Sequence, residues 1–160
     1  MTIALKILAP VDFSSGSKVS VAYAATLAKS LQSTVTLFHV CRTPDLMNSI
    51  VPGADNTADA QEDARLATKW LEGLRTELQK EADVEMSVVV DHGSPVGEII
   101  SFSRSGGFDM IVMGTHGRTG IGRLLMGSVA EGVVRRASCP VMTIHLPFPE
   151  GTATTRTGVG

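Results

Sequence analysis

Aromatic residues are scarce in this sequence: five Phe, one Trp and one Tyr among 160 residues. With 43% hydrophobic side chains, the core of whatever fold forms must therefore be aliphatic. No stretch approaches the 18 or more consecutive apolar residues of a membrane-crossing helix. Residues 2 to 11 are apolar but short, Asp12 follows at once, and no basic leader with a small-residue cleavage site accompanies them, so they do not read as a secretory signal. Neither sign of charge dominates, the formal net charge being -2. Nucleic acid and anionic membranes select for clustered Lys and Arg, so neither is expected as a partner. The two cysteines, Cys41 and Cys139, fall near the ends of separate strand-like runs and read as free thiols of a reducing cytoplasm. His39, His92, His116 and His145 form no HExxH pair and no Cys-x-x-Cys joins them, so no protein-held metal is expected.

What is present is a regular alternation of strand and helix signals. Ala4 to Val11 is an aliphatic run broken only by Lys6, as a central parallel strand covered on both faces requires. After a turn at Asp12 to Gly16, Tyr23, Leu27 and Leu31 recur every four residues with Ala24 and Ala28 beside them, predicting a helix on that face. Thr34 to Cys41 is rich in β-branched residues and reads as the second strand. Between 42 and 56 lies a long loop containing Pro44, Pro52 and Gly53. A long helix over 56 to 82 follows, with Ala60, Ala64, Ala67, Leu71, Leu74 and Leu78 on one face and Trp70 widening the stripe.

Glu85 to Asp91 is a third strand. Ser94-Pro95 starts a helix that Gly106-Gly107 stops, and Phe108 to Met113 is a fourth strand. Five strands and four helices in alternation, joined by right-handed crossovers, make an α/β, Rossmann-like, doubly wound parallel sheet. The domain is expected to span residues 1–147, with 148–160 an unstructured tail.

The most informative stretch begins at the fourth strand. Met110 to Met113 ends at Gly114, glycines recur at 117, 120, 122 and 127, and Ser128 opens a helical pattern. Strand, glycine-rich loop and helix in that order suit an anion, most simply phosphate. Arg118 and Arg123 lie in the loop and can add charge, while Ser128 can donate its hydroxyl or cap the helix. The loop is neither GxxxxGK[ST] nor GxGxxG.

Gly114-x-x-Gly117, nine residues, then Gly127-Ser128 resembles the signature of the ATP-binding branch of the universal stress protein family. The likeness extends to Ile7 through Ser14, which match the family's first strand and turn, and covers roughly residues 3 to 146. Gly132 departs from the pattern, standing where the family usually has a longer side chain, as does Ser138 before Cys139-Pro140. The resemblance implies strand order 3-2-1-4-5. The ligand crevice then opens between strands 1 and 4, at Pro10, Val11, Asp12 and Phe13 and at Met113 to Gly117.

By the same resemblance Pro10, Asp12 and Val40 hold the adenine and ribose end of ATP. Met113, Gly114 and Gly117 line the ribose and near phosphates, and Gly127, Ser128 and Val129 the outer phosphates. Asp12 equally suits a turn or capping role, and can reach Mg²⁺ through the phosphates. No convincing general base accompanies the cradle, so the resemblance implies a nucleotide-responsive regulator of the stress response with at most slow ATP hydrolysis. Other readings are a slow ATPase or nucleotidyl transferase, an AMP or cyclic AMP binder, and an interaction module that holds no nucleotide. The last strand, Cys139 to His145, lies at a sheet edge, and the resemblance implies a homodimer through it.

Overall fold

The computed structural model describes residues 4–42, 56–115 and 126–145. Nine elements alternate along the chain: β1 (Lys6–Pro10), α1 (Ser15–Leu31), β2 (Thr34–Cys41), α2 (Asn56–Ala82), β3 (Met86–His92), α3 (Pro95–Ser105), β4 (Met110–Gly114), α4 (Ser128–Arg136) and β5 (Val141–Ile144). The strands form one parallel sheet in the order β3-β2-β1-β4-β5. Helices cover both faces. Ile7, Ala9, Leu37 and Val112 point toward α1 and α2, where Val21, Ala24 and Leu71 meet them. Leu8, Phe38, Ile111 and Met113 point the other way, against Ile99 of α3 and Ala130 and Val133 of α4. Because strand side chains alternate between faces, a strand buried on both has no polar positions to spare, and Ile7, Leu8 and Ala9 are all at most 1% exposed.

Local chemistry sets the boundaries. The Ser14 side chain accepts a hydrogen bond from Ser17 N at 3.1 Å, capping α1, and Gln32 in the left-handed region (φ 52) ends it. Pro95 occupies the first turn of α3, and the chain leaves that helix through Gly106 and Gly107, the latter at φ 61. At the sheet's amino end, Lys6 N donates to Asp109 Oδ2 at 2.8 Å, joining the starts of β1 and β4. Asp109 is thus a structural residue on the far side from the crevice.

Several expectations are corrected. Three strands are shorter than their apolar runs: β1 begins at Lys6 rather than Ala4, β4 at Met110 rather than Phe108, and β5 covers only Val141–Ile144. The buried face of α1 is Gly16, Ser17, Ser20, Val21, Ala24, Ala25 and Ala28, while Tyr23 and Leu31 are exposed. The sheet lies so close that only small side chains fit beneath the helix. The α2 stripe is as expected at Ala67 and Leu71, but Trp70 stands outside it, 64% exposed. Gly132, which costs α4 about 1 kcal/mol in helix propensity, has a packing reason. A Cβ there would lie 2.9 Å from Val96 Cγ2, so the missing side chain lets α4 lie against α3.

Candidate functional site

Strand order reverses between β1 and β4. β1 is followed by a crossover to β2 on one side, and β4 by a crossover to β5 on the other, so the connections part and leave a crevice at the strands' carboxyl ends. A cleft of about 560 Å³ occupies that place. Its size is that of sites which hold small organic ligands.

Nine of the eleven residues singled out from the sequence line this one cleft: Pro10, Val11, Asp12, Val40, Met113, Gly114, Gly127, Ser128 and Val129. They come from four separated stretches of the chain. Gly117 and Arg118 lie outside the described residues, as do His116, Arg123 and the 43–55 portion of the long loop.

The floor is set by β1 and the turn after it. Asp12 Oδ1 accepts from Ser14 N at 3.0 Å and Ser14 Oγ at 2.5 Å. Asp12 therefore does hold the turn and steady the α1 cap, and its second carboxylate oxygen makes no hydrogen bond among the described residues. Phe13 adopts φ 63, a left-handed conformation in which bulky residues are rare. Its ring rests 4.5 Å, centroid to centroid, from the His39 imidazole, whose Nδ1 is 2.6 Å from Val11 O. Val11 N in turn donates to Phe38 O at 2.8 Å, so β1 and β2 stay joined up to the cleft.

The opposite wall is the start of α4. Gly127 is the N-cap residue, with φ -60 and ψ 150, and its N–H donates to Thr115 O at 2.6 Å. Ser128 is therefore the first helical residue, and no side chain caps the helix. In α-helical geometry the N–H groups of Ser128, Val129 and Ala130 have no carbonyl within the helix to bond, and the first intrahelical bond runs from Glu131 N to Gly127 O at 2.9 Å. All three residues line the cleft. Outward-pointing donors at the positive end of a helix dipole suit an anion.

Side-chain charge along the described wall gives little attraction to phosphate: Asp12 and Asp63 against Arg42. Any anion held here depends on backbone amides and on what the loop arginines add. Gly114 has a second task. A Cβ on it would sit 3.2 Å from the Gly16 carbonyl carbon and oxygen, so the end of β4 and the start of α1 approach too closely for any other residue to fit without displacement.

Sequence reasoning missed the α2 side of the cleft, where Asp63, Leu66, Ala67 and Trp70 line it. Topology carried the signal. A crossover helix starts where its strand ends, so the first half of α2 must overhang the carboxyl edge, and His92 Nε2 at the end of β3 lies 3.2 Å from Ala60 O. Cys41 and Cys139 are free; burial raises both thiol pKa values, and nearby carboxylates add to it, Asp63 at Cys41 and Asp109 at Cys139. Among the described residues no three His, Cys, Asp or Glu are grouped to hold a metal ion, and no helix is long and apolar enough to cross a membrane.

A family model described as the universal stress protein family matches residues 5–145. Universal stress protein MJ0531 of Methanocaldococcus jannaschii is 31% identical over 147 residues, covering 91% of this chain and 84% of that protein. Among solved structures, that of MJ0577, published as a structure-based assignment of biochemical function, superposes with a TM-score of 0.71 at 25% identity and covers 90% of this chain and 97% of its own. A universal stress protein in complex with cAMP has the same fold, with a TM-score of 0.63 at 20% identity, over 90% of this chain and 98% of its own.

Proposed function

This chain belongs to the universal stress protein family, and on that footing we propose that its cleft binds an adenine nucleotide, ATP by preference, and that occupancy regulates a response to stress. One observation carries the reading: Asp12 and the amino end of α4, more than a hundred residues apart in sequence, line the same cleft at the point where the strand order reverses. Pro10, Val11, Asp12 and Val40 face the nucleoside, Asp12 offering its second oxygen to a ribose hydroxyl. Met113 and Gly114 lie beside the ribose and first phosphate. Gly127, Ser128 and Val129 take the outer phosphates on backbone N–H groups, with Gly117 and Arg118 completing the cradle from the loop. Mg²⁺ accompanies the phosphates, held chiefly by them, because the described wall offers too few grouped carboxylates for a cage of its own.

The protein acts by holding the nucleotide. Hydrolysis requires a positioned base or water, and the Asp12 carboxylate is already engaged by Ser14 through one oxygen. A cytoplasmic homodimer completes the proposal. Among the described residues β5 is an edge strand, bonded only to β4, and Met142 on it is exposed, which favours pairing with a second copy. The test is calorimetric titration of nucleotide-stripped protein with ATP, ADP, AMP and cyclic AMP, with and without Mg²⁺. Saturable binding with ATP tightest is expected; a folded protein that takes none of the four would refute the reading.

A further inference from the structure

The cleft has a wall that the phosphate cradle does not use. Eight large hydrophobic side chains are exposed among the described residues, and of these only Leu66 and Trp70 line the cleft. They are one turn apart on α2, at spacing i and i+4, and so lie on the same side of the helix. The remaining outward positions nearby, Glu62, Arg65, Thr68 and Lys69, are polar. The helix already has its buried stripe in Ala67 and Leu71, so packing does not require Trp70. In a chain with seven aromatic residues, placing the single indole 64% exposed at a binding cleft leaves a broad apolar surface that some ligand group can cover.

We propose that Trp70 is a base-binding residue: its indole forms a side wall of the cleft on which the planar base of the nucleotide stacks, with Leu66 packing at its edge. The inference rests on the nucleotide reading above and adds to it the residue that selects for an aromatic base. Phosphate gains nothing from an indole face, whereas a flat heteroaromatic ring gains both area and stacking. Exposure at rest is what such a role needs, since the face must be open for the base to reach it. The cleft then has two chemically distinct regions, amides at α4 for charge and an apolar rim on α2 for the base.

Trp70 is the only tryptophan, so indole fluorescence, excited where tyrosine does not absorb, reports this position alone. Titration of the full chain with ATP and AMP should change its emission saturably, while tripolyphosphate, which has phosphates and no base, should not. By calorimetry Trp70→Leu should weaken ATP about tenfold, and Trp70→Phe should recover most of the loss. Trp70 is exposed, so both variants should fold, with unfolding curves as controls. If the wild type binds ATP and Trp70→Leu binds it equally well, or if emission is unchanged at saturation, the stacking role is wrong while the nucleotide reading stands. If the wild type binds no adenine nucleotide, both fall.

Discussion

Gly114 and Gly16 approach more tightly than side chains ordinarily tolerate: a Cβ added to Gly114 would lie 3.2 Å from both the carbonyl carbon and the oxygen of Gly16. The obstacle is backbone, which cannot rotate aside. Gly114→Ala should therefore push α1 from the end of β4 and destabilise the protein by about 1–3 kcal/mol. Urea unfolding measures it. A variant as stable as wild type would show that the two elements have room to separate, and would leave ligand contact as the only reason for glycine at this position.

At Gly132 the obstacle is a side chain instead. Alanine gains about 1 kcal/mol of helix propensity over glycine, but here its Cβ would fall 2.9 Å from Val96 Cγ2. Valine is stiff at χ1 and gives way poorly. Gly132→Ala alone should lower stability, and combining it with Val96→Ala should remove the clash, so that the double variant is more stable than Val96→Ala by up to about 1 kcal/mol. A single Gly132→Ala that stabilises would mean the α3–α4 contact is loose.

Ser14 joins the fold to the cleft, because it caps α1 and also holds Asp12. Ser14→Ala should cost about 1 kcal/mol through the lost cap. It should also weaken nucleotide binding, since Asp12 loses both its fastening to the Ser14 hydroxyl and part of its orientation. Unchanged affinity in a destabilised variant would restrict Asp12 to the turn.

How much of this was open to sequence reading differs by element. The succession of strands and helices follows from apolar runs and glycine or proline stops that no tertiary contact overrides, whereas the reversal between β1 and β4 is legible only through the family resemblance. The convergence of Asp12 with Gly127 and Ser128 follows in turn, because topology alone brings strand ends together. On α1 the sequence reading holds at Ala24 and Ala28, both fully buried, and fails at Tyr23 and Leu31, which outrank Ser17 and Ser20 in hydrophobicity, whereas the close sheet favours small groups. The same preference for size adds Trp70 to the α2 stripe, where the structure leaves it exposed. The Gly114 to Gly16 approach, the Gly132 to Val96 contact and the Phe13 to His39 pair depend on distances between remote segments, which periodicity does not encode.

Cys41 supplies a chemical readout. It is 8% exposed and lines the cleft, and burial with the nearby Asp63 carboxylate raises its thiol pKa. A raised folded value means that the unfolded chain releases the proton first, so this group's contribution is fully present at neutral pH and is lost as pH rises past the ordinary thiol value. Labelling with a thiol reagent should accordingly be slow at pH 7 and accelerate at higher pH than for a free thiol. ATP should protect Cys41, while Cys139, outside the cleft, should label at an unchanged rate. Equal protection of both would point to a global change in stability.

The most direct test removes one amide from the phosphate wall and leaves the helix. Gly127 already has φ -60 and ψ 150, a conformation suited to the residue before proline, and Ser128 is the first helical position, where proline is tolerated. Ser128→Pro thus deletes one backbone donor and the hydroxyl, and Ser128→Ala deletes the hydroxyl alone. Calorimetric titration of wild type and both variants with ATP should show Ser128→Pro weakened about tenfold or more beyond Ser128→Ala, as loss of a hydrogen bond to a charged group requires. Equal affinities in all three folded proteins would contradict the claim that the amino end of α4 holds the phosphates.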